Sequence, residues 1–163
     1  MLKSGLARIV AGSALCGAAL LAGCVHQTLS AGNGGAPGIA PQLAVEQFLR
    51  AANCVSNPNC ATKPQDIDTM GRLFGTKDGS VLTRDSRSDV EQRMYALASL
   101  VASEDYRVEG QNIVPGRMGE AVQLIVRLTQ AGRQLSVPFT LVHAKGGNWL
   151  VEQIDTKALT TAP

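Results

Sequence analysis

Two side chains in the C-terminal third could move protons, and their placement decides whether the chain has the makings of an enzyme. Glu152 lies in the run Trp149-Leu150-Val151-Glu152-Gln153-Ile154-Asp155, and His143 closes Val137-Pro138-Phe139-Thr140-Leu141-Val142-His143. A carboxylate set beside apolar neighbours such as Leu141 and Ile154 loses hydration, and its pKa rises toward the strength of a useful base. His143, on the same strand face, would be its proton carrier. Tyr95 and Tyr106 carry hydroxyls able to donate into a pocket. The candidate ligand pocket is therefore Met94, Tyr95, Phe139, Leu141 and Glu152. Each residue also has a plain structural reading. Glu152 then sits on the outer face or pairs with Arg127, His143 is solvated at a sheet rim, and the tyrosines are packed rings. Phe139, Met94 and Trp149 then fill the space themselves. The chain holds two histidines, His143 and His26, too few for a zinc site of the usual kind. It has no phosphate-cradling Gly-rich loop, no Gly-x-Ser-x-Gly and no His-Glu-x-x-His. No metal and no cofactor is expected.

These residues need a sheet to position them, and 120–155 supplies its pattern. Val122, Leu124, Val126 and Leu128 alternate with Gln123, Ile125, Arg127 and Thr129; Leu135, Val137, Phe139 and Leu141 alternate with Ser136, Pro138, Thr140 and Val142. Period-two alternation marks strands with one buried face. A two-residue hairpin at Ala131-Gly132 puts Leu128 opposite Leu135, Val126 opposite Val137, Leu124 opposite Phe139 and Val122 opposite Leu141. The next turn, Lys145-Gly146-Gly147-Asn148, leaves two registers open. With Gly146-Gly147 at its tip, Leu141 faces Glu152 and Glu152 points into the apolar side. A three-residue loop places Trp149 and Val151 there instead and turns Glu152 outward. Pro138, in a central strand, lacks a ladder donor and predicts a bulge and a bend.

The N-terminus gives an address. Lys3 and Arg8 precede a short apolar run, Ile9 to Leu21, too short to span a bilayer and built like a signal-peptide core. It ends in Leu21-Ala22-Gly23-Cys24, which closely resembles the lipobox of bacterial lipoproteins. That resemblance implies a signal peptide over 1–23, cleavage before Cys24, and acyl chains on Cys24 that anchor the protein to a membrane. Val25, rather than Asp, follows the cysteine. Sorting to the periplasmic face of the outer membrane is then the expectation for a two-membrane source. Residues 25–40, rich in Gly, Ser, Ala and Asn, read as a flexible tether with a mean span of roughly 22 Å. Cleavage removes Lys3 and Arg8 from the 15 basic residues and leaves 13 against 13 acidic ones. A neutral chain has no electrostatic footprint for nucleic acid. Cys16 leaves with the signal peptide and Cys24 carries lipid, so Cys54 and Cys60 remain as one pair in an oxidising compartment. A disulfide across that seven-residue loop contributes about 2.4 kcal/mol by chain entropy.

Between tether and sheet the pattern is helical. Pro41 opens a helix with an Ala44, Val45, Phe48, Leu49, Ala52 stripe; Pro64 opens a shorter one carrying Ile67, Met70, Leu73 and Phe74, stopped by Gly75. Gly79 and the run Ser80-Val81-Leu82-Thr83 read as a short strand or lid. Ser86 or Ser88 caps a third helix, striped by Val90, Met94, Leu97, Ala98 and Val101 and reaching about Glu104. Asp105 to Val114 is the first long strand, and 157–163 reads as a frayed tail. Residues 41–163 thus form a single α+β domain, three helices followed by an antiparallel sheet.

That order resembles the nuclear transport factor 2-like superfamily. The strings Val137-Pro138-Phe139-Thr140-Leu141-Val142 and Gly146-Gly147-Asn148-Trp149-Leu150-Val151-Glu152 are similar to the closing strands of its bacterial members, and Met70-Gly71-Arg72-Leu73-Phe74 fits its second helix. The resemblance covers about 41–157 and is architectural. It implies a cone in which a bent sheet wraps the long helix around a pocket. Some members are isomerases or dehydratases, others bind proteins or small molecules, so fold alone assigns no activity. The expected function is a lipid-anchored envelope protein that binds a small hydrophobic ligand in the cone or a protein partner on the sheet. A homodimer through Ile125, Thr140 and Val142 of the outer face is one such partnership. The alternative is a pocket enzyme of isomerase, lyase or hydrolase type using Glu152 or His143.

Overall fold

The computed structural model describes residues 40–160, which fall in one of the chain's two units, Gly34–Pro163. The expected signal peptide, Cys24 and nearly all of the expected tether lie outside the described residues. No helix among the described residues is long and apolar enough to cross a membrane.

Pro41 starts helix α1, Pro41–Ser56, in the first turn, where its missing N–H has no partner to lose. The stripe of Ala44, Val45, Phe48, Leu49 and Ala52 is fully buried. After the Cys54–Cys60 disulfide comes α2, Lys63–Leu73. Its exit is a two-residue hairpin of β1, Gly75–Thr76, and β2, Gly79–Ser80. Gly75 is required there: a Cβ would stand 2.3 Å from the Gly79 carbonyl oxygen. Of the short strand or lid expected over 79–83, Gly79 and Ser80 form β2, and the rest is one helical turn, α3, Val81–Arg84. Helix α4, Arg87–Val101, is capped by Ser86, whose Oγ accepts from the Asp89 N–H at 3.2 Å. It buries Val90, Met94, Ala98 and Val101. The helix ends three residues short of Glu104, where Gln130 Nε2 donates to the carbonyls of Leu100 and Ala102.

The main sheet has four antiparallel strands in sequence order: β3, Asp105–Ile113; β4, Ala121–Gln130; β5, Arg133–His143; β6, Trp149–Ile154. The β4–β5 register is the expected one, with all four apolar pairs aligned. Gln130 pairs with Arg133, so Ala131 and Gly132 are the two turn residues; both have positive φ, 49° and 72°. That is the mirror-image turn whose twist suits a hairpin.

Two bulges bend the outer strands. On β3, Val108 pairs with Val126 and Gly110 with Ile125, leaving Glu109 as the extra residue. On β6, Val151 pairs with Leu141 and Gln153 with Thr140, leaving Glu152 as the extra residue. Pro138 causes neither: it pairs with Ile125 in unbroken register. Its carbonyl accepts from the Asp155 N–H at 2.9 Å. Because an antiparallel residue points its N–H and C=O to the same side, the missing donor lies where β6 has already ended. The proline marks the end of a neighbouring strand rather than a bulge.

The concave face of the sheet and the stripes of α1, α2 and α4 share one apolar core. Among the described residues no polar or charged residue is buried. The tail closes with a helical turn, α5, Lys157–Thr160, whose Leu159 packs on that core. The fold is α+β, with helices laid against one face of a bent antiparallel sheet, as the sequence pattern requires.

Candidate functional site

The β5–β6 turn settles the orientation of Glu152. His143 pairs with Trp149, and the Ala144 N–H donates to the Asn148 carbonyl at 2.9 Å, which closes the loop on Lys145-Gly146-Gly147. This is the three-residue loop, and it sends Val151 inward. The bulge at Glu152 then restores the pairing of Ile154 with Phe139. Glu152 is therefore not a desolvated pocket acid. Its carboxylate faces outward and takes a two-pronged hydrogen bond from Arg117, 2.6 Å from Nη1 and 3.2 Å from Nη2. The pair is partly exposed, 35% for Arg117 and 24% for Glu152. Hydrogen bonding to Glu152 raises the Arg117 pKa above its ordinary value, against a smaller opposing effect of burial. The plain alternative of an outward, paired Glu152 holds, with Arg117 as the partner. Arg127 is taken by the other bulge residue, Glu109, at 2.6 Å.

The rest of the predicted pocket is solid core. Met94, Phe139 and Leu141 have no exposed surface, while Tyr95, the next residue on α4, turns away from the core and is 47% exposed. A cluster that holds three fully buried side chains and one solvated ring encloses no common cavity. The tight packing follows from residue volume: Phe48, Phe139, Met70 and Met94 are among the largest fully buried side chains. Tyr106 packs on the same core and reaches the Glu46 carbonyl with its hydroxyl at 3.4 Å. Trp149 packs partly against the core as a sheet-edge anchor.

His143 stands exposed at the rim, edge-on to Trp149 with ring centroids 5.2 Å apart. It lines an open hollow of about 350 Å³ with Lys77, Glu120, Ala144 and Lys145. Here the β1–β2 hairpin is clipped to the β5–β6 turn. The Lys145 N–H donates to the Lys77 carbonyl at 3.0 Å, and Lys145 Nζ meets Asp78 at 2.7 Å. Nothing in this hollow brings an acid and a base together on a dry surface.

The outer face of the sheet is the broad surface that remains. Ile125 and Pro138 pair at its centre, both half-buried. Around them stand Arg107, Glu109, Arg127, Gln134 and Ser136. Arg107 and Arg127 are direct cross-strand partners, and among the described residues the only acid bonded to either is Glu109 on Arg127. Thr140 belongs to this face, but Val142 does not offer itself for a dimer contact. It is 99% buried in a second small cluster with Ala144 and Leu150.

No family model matches the chain, and no curated protein matches it. Among solved structures it is similar to an NTF-2 like protein of unknown function from Silicibacter pomeroyi, at 13% identity and a TM-score of 0.42, over 69% of this chain and 87% of that one. A second is an NTF2-like protein of unknown function from Cytophaga hutchinsonii, at 14% identity and a TM-score of 0.39, over 76% and 96%.

Proposed function

We propose that this chain is a lipid-anchored protein of the bacterial cell envelope, held by Cys24 at the periplasmic face of the outer membrane, whose domain binds a protein partner. The observation that carries the reading is the filled interior. Every buried residue described is apolar, and three of the side chains expected to line a ligand pocket, Met94, Phe139 and Leu141, are fully buried in the core. That leaves little room for a hydrophobic ligand in the cone and no dry site for Glu152 or His143 chemistry.

The outer face has the composition of a contact surface. A small apolar centre, Ile125 and Pro138, is ringed by Arg107, Arg127, Asp105 and Glu109, with Gln134 and Ser136 beside them. Interfaces use an apolar core with a polar rim enriched in arginine. The partner that fits is a folded protein whose rim carries charges of both signs, with an acid set to meet Arg107. The test is position-dependent photocrosslinking of the full chain in its own cells. Probes at Ser136 and Gln134 are expected to give one discrete protein adduct, and a probe at Gln92 on α4 to give none. Adducts from Gln92 alone, or equal adducts from both faces, overturn the reading.

A further inference from the structure

The turn between α1 and α2 gathers more chemistry than a structural disulfide needs. Cys54 lies near the end of α1, and Cys60 stands two residues ahead of Thr62, the N-cap residue of α2. The Thr62 hydroxyl is 3.4 Å from Cys54 Sγ and 3.3 Å from Cys60 Sγ, and it donates to Asp66 Oδ2 at 2.7 Å. Threonine at a helix start ordinarily accepts from a backbone N–H of the first turn. Thr62 makes no such cap bond; its hydroxyl gives its one proton to the Asp66 carboxylate and lies in contact with the two sulfurs. The ligand atoms of Cys54, Cys60 and Asp66 all lie within 4.8 Å of one another, and all three residues are half-buried.

We propose that the Cys54–Cys60 disulfide covers a metal site: once reduced, the two thiolates and the Asp66 carboxylate hold a thiophilic divalent cation, zinc in the first instance. Two sulfurs and one carboxylate oxygen are ligands that zinc accepts, and three protein ligands leave a fourth position open to water. The positive end of α2 stabilises the negative charge that collects there. Thr62 orients Asp66, the part that outer ligands play at metal centres. The chemistry balances with a reductant of the dithiol class. Its two thiols give up two electrons and two protons and become a disulfide; the Cys54–Cys60 bond breaks and takes up both. The cation then displaces the two thiol protons into water.

The experiment uses the full chain in mild detergent, titrated with Cd²⁺ as the probe, before and after reduction by a phosphine that is then removed without air. The thiolate-to-cadmium charge-transfer band is expected only in the reduced protein, saturating at one equivalent. Circular dichroism checks that the reduced chain stays folded. Asp66→Asn is expected to weaken binding by about tenfold or more, and Thr62→Val to weaken it less. No band in the reduced protein overturns the proposal. So does equal affinity in Asp66→Asn, which would mean that two thiols bind without the site.

Discussion

At the scale of single residues, the two bulge glutamates show how a local backbone choice decides chemistry. Glu109 and Glu152 each occupy the one unpaired position of a bent strand, and each is re-aimed at an arginine, Arg127 and Arg117. Both oxygens of Glu152 are engaged, so it holds a loop in place rather than moving protons. Glu152→Gln and His143→Ala are expected to restore a deletion strain fully; failure of either in a folded protein contradicts this account. Arg117→Ala frees the loop before β4 and is expected to cost about 1 kcal/mol, read from urea unfolding, a modest sum because the pair is partly solvated. Ala131 carries the opposite lesson. Its φ of 49° sits in the left-handed region that alanine tolerates poorly. Ala131→Asn is expected to raise stability by about 0.5–1 kcal/mol in the same assay.

Among the elements, the β4–β5 hairpin was legible in full because alternation on two strands leaves one register in which Val126 meets Val137 and Leu124 meets Phe139. The three longer helices, α1, α2 and α4, were legible for the same reason, in period 3.6; the single turns α3 and α5 were not. The orientation of β6 was not. A bulge adds one residue to one strand, so Trp149 and Val151 follow one register and Ile154 the other, and alternation alone assigns Glu152 to either face. Arg117 was invisible as its partner, 35 residues away in a turn that carries no periodic signal. Thr62 and Asp66 were not legible as neighbours of the cysteines, because the turn that gathers them carries no periodic pattern. The clip between the β1–β2 hairpin and the β5–β6 turn is a tertiary contact with no sequence signature. Hydrogen bonding to Lys145 lowers the Asp78 pKa, and hydrogen bonding to Asp78 raises that of Lys145. The lowered carboxyl contributes above the ordinary aspartate value, about 3.9, and fails as pH falls below it; the raised amine contributes below about 10.4 and fails as pH rises past it. The clip is therefore expected to stay intact between those limits. An NMR titration of the Asp78 carboxyl with a midpoint at or above the ordinary value contradicts this.

For the whole molecule, the pattern told which side chains face inward but not whether they leave a void. Met94, Phe139 and Leu141 were read as the walls of a pocket and are its filling. The difference lies in summed volume across three helices and four strands, which no one-dimensional pattern contains. Met94→Ala is expected to cost about 2–5 kcal/mol, as for a packed core methionine with no ligand to take its place. A cost near zero in thermal unfolding would mean that the cone is already hollow.

The most direct measurement is native mass spectrometry of the full chain, released from its own membranes in mild detergent. The account predicts a protein-sized additional mass that disappears in the variant carrying Arg107→Glu and Arg127→Glu, with no small molecule bound. A small-molecule mass that leaves only on denaturation would contradict it, because such a ligand needs the interior that Met94, Phe139 and Leu141 occupy.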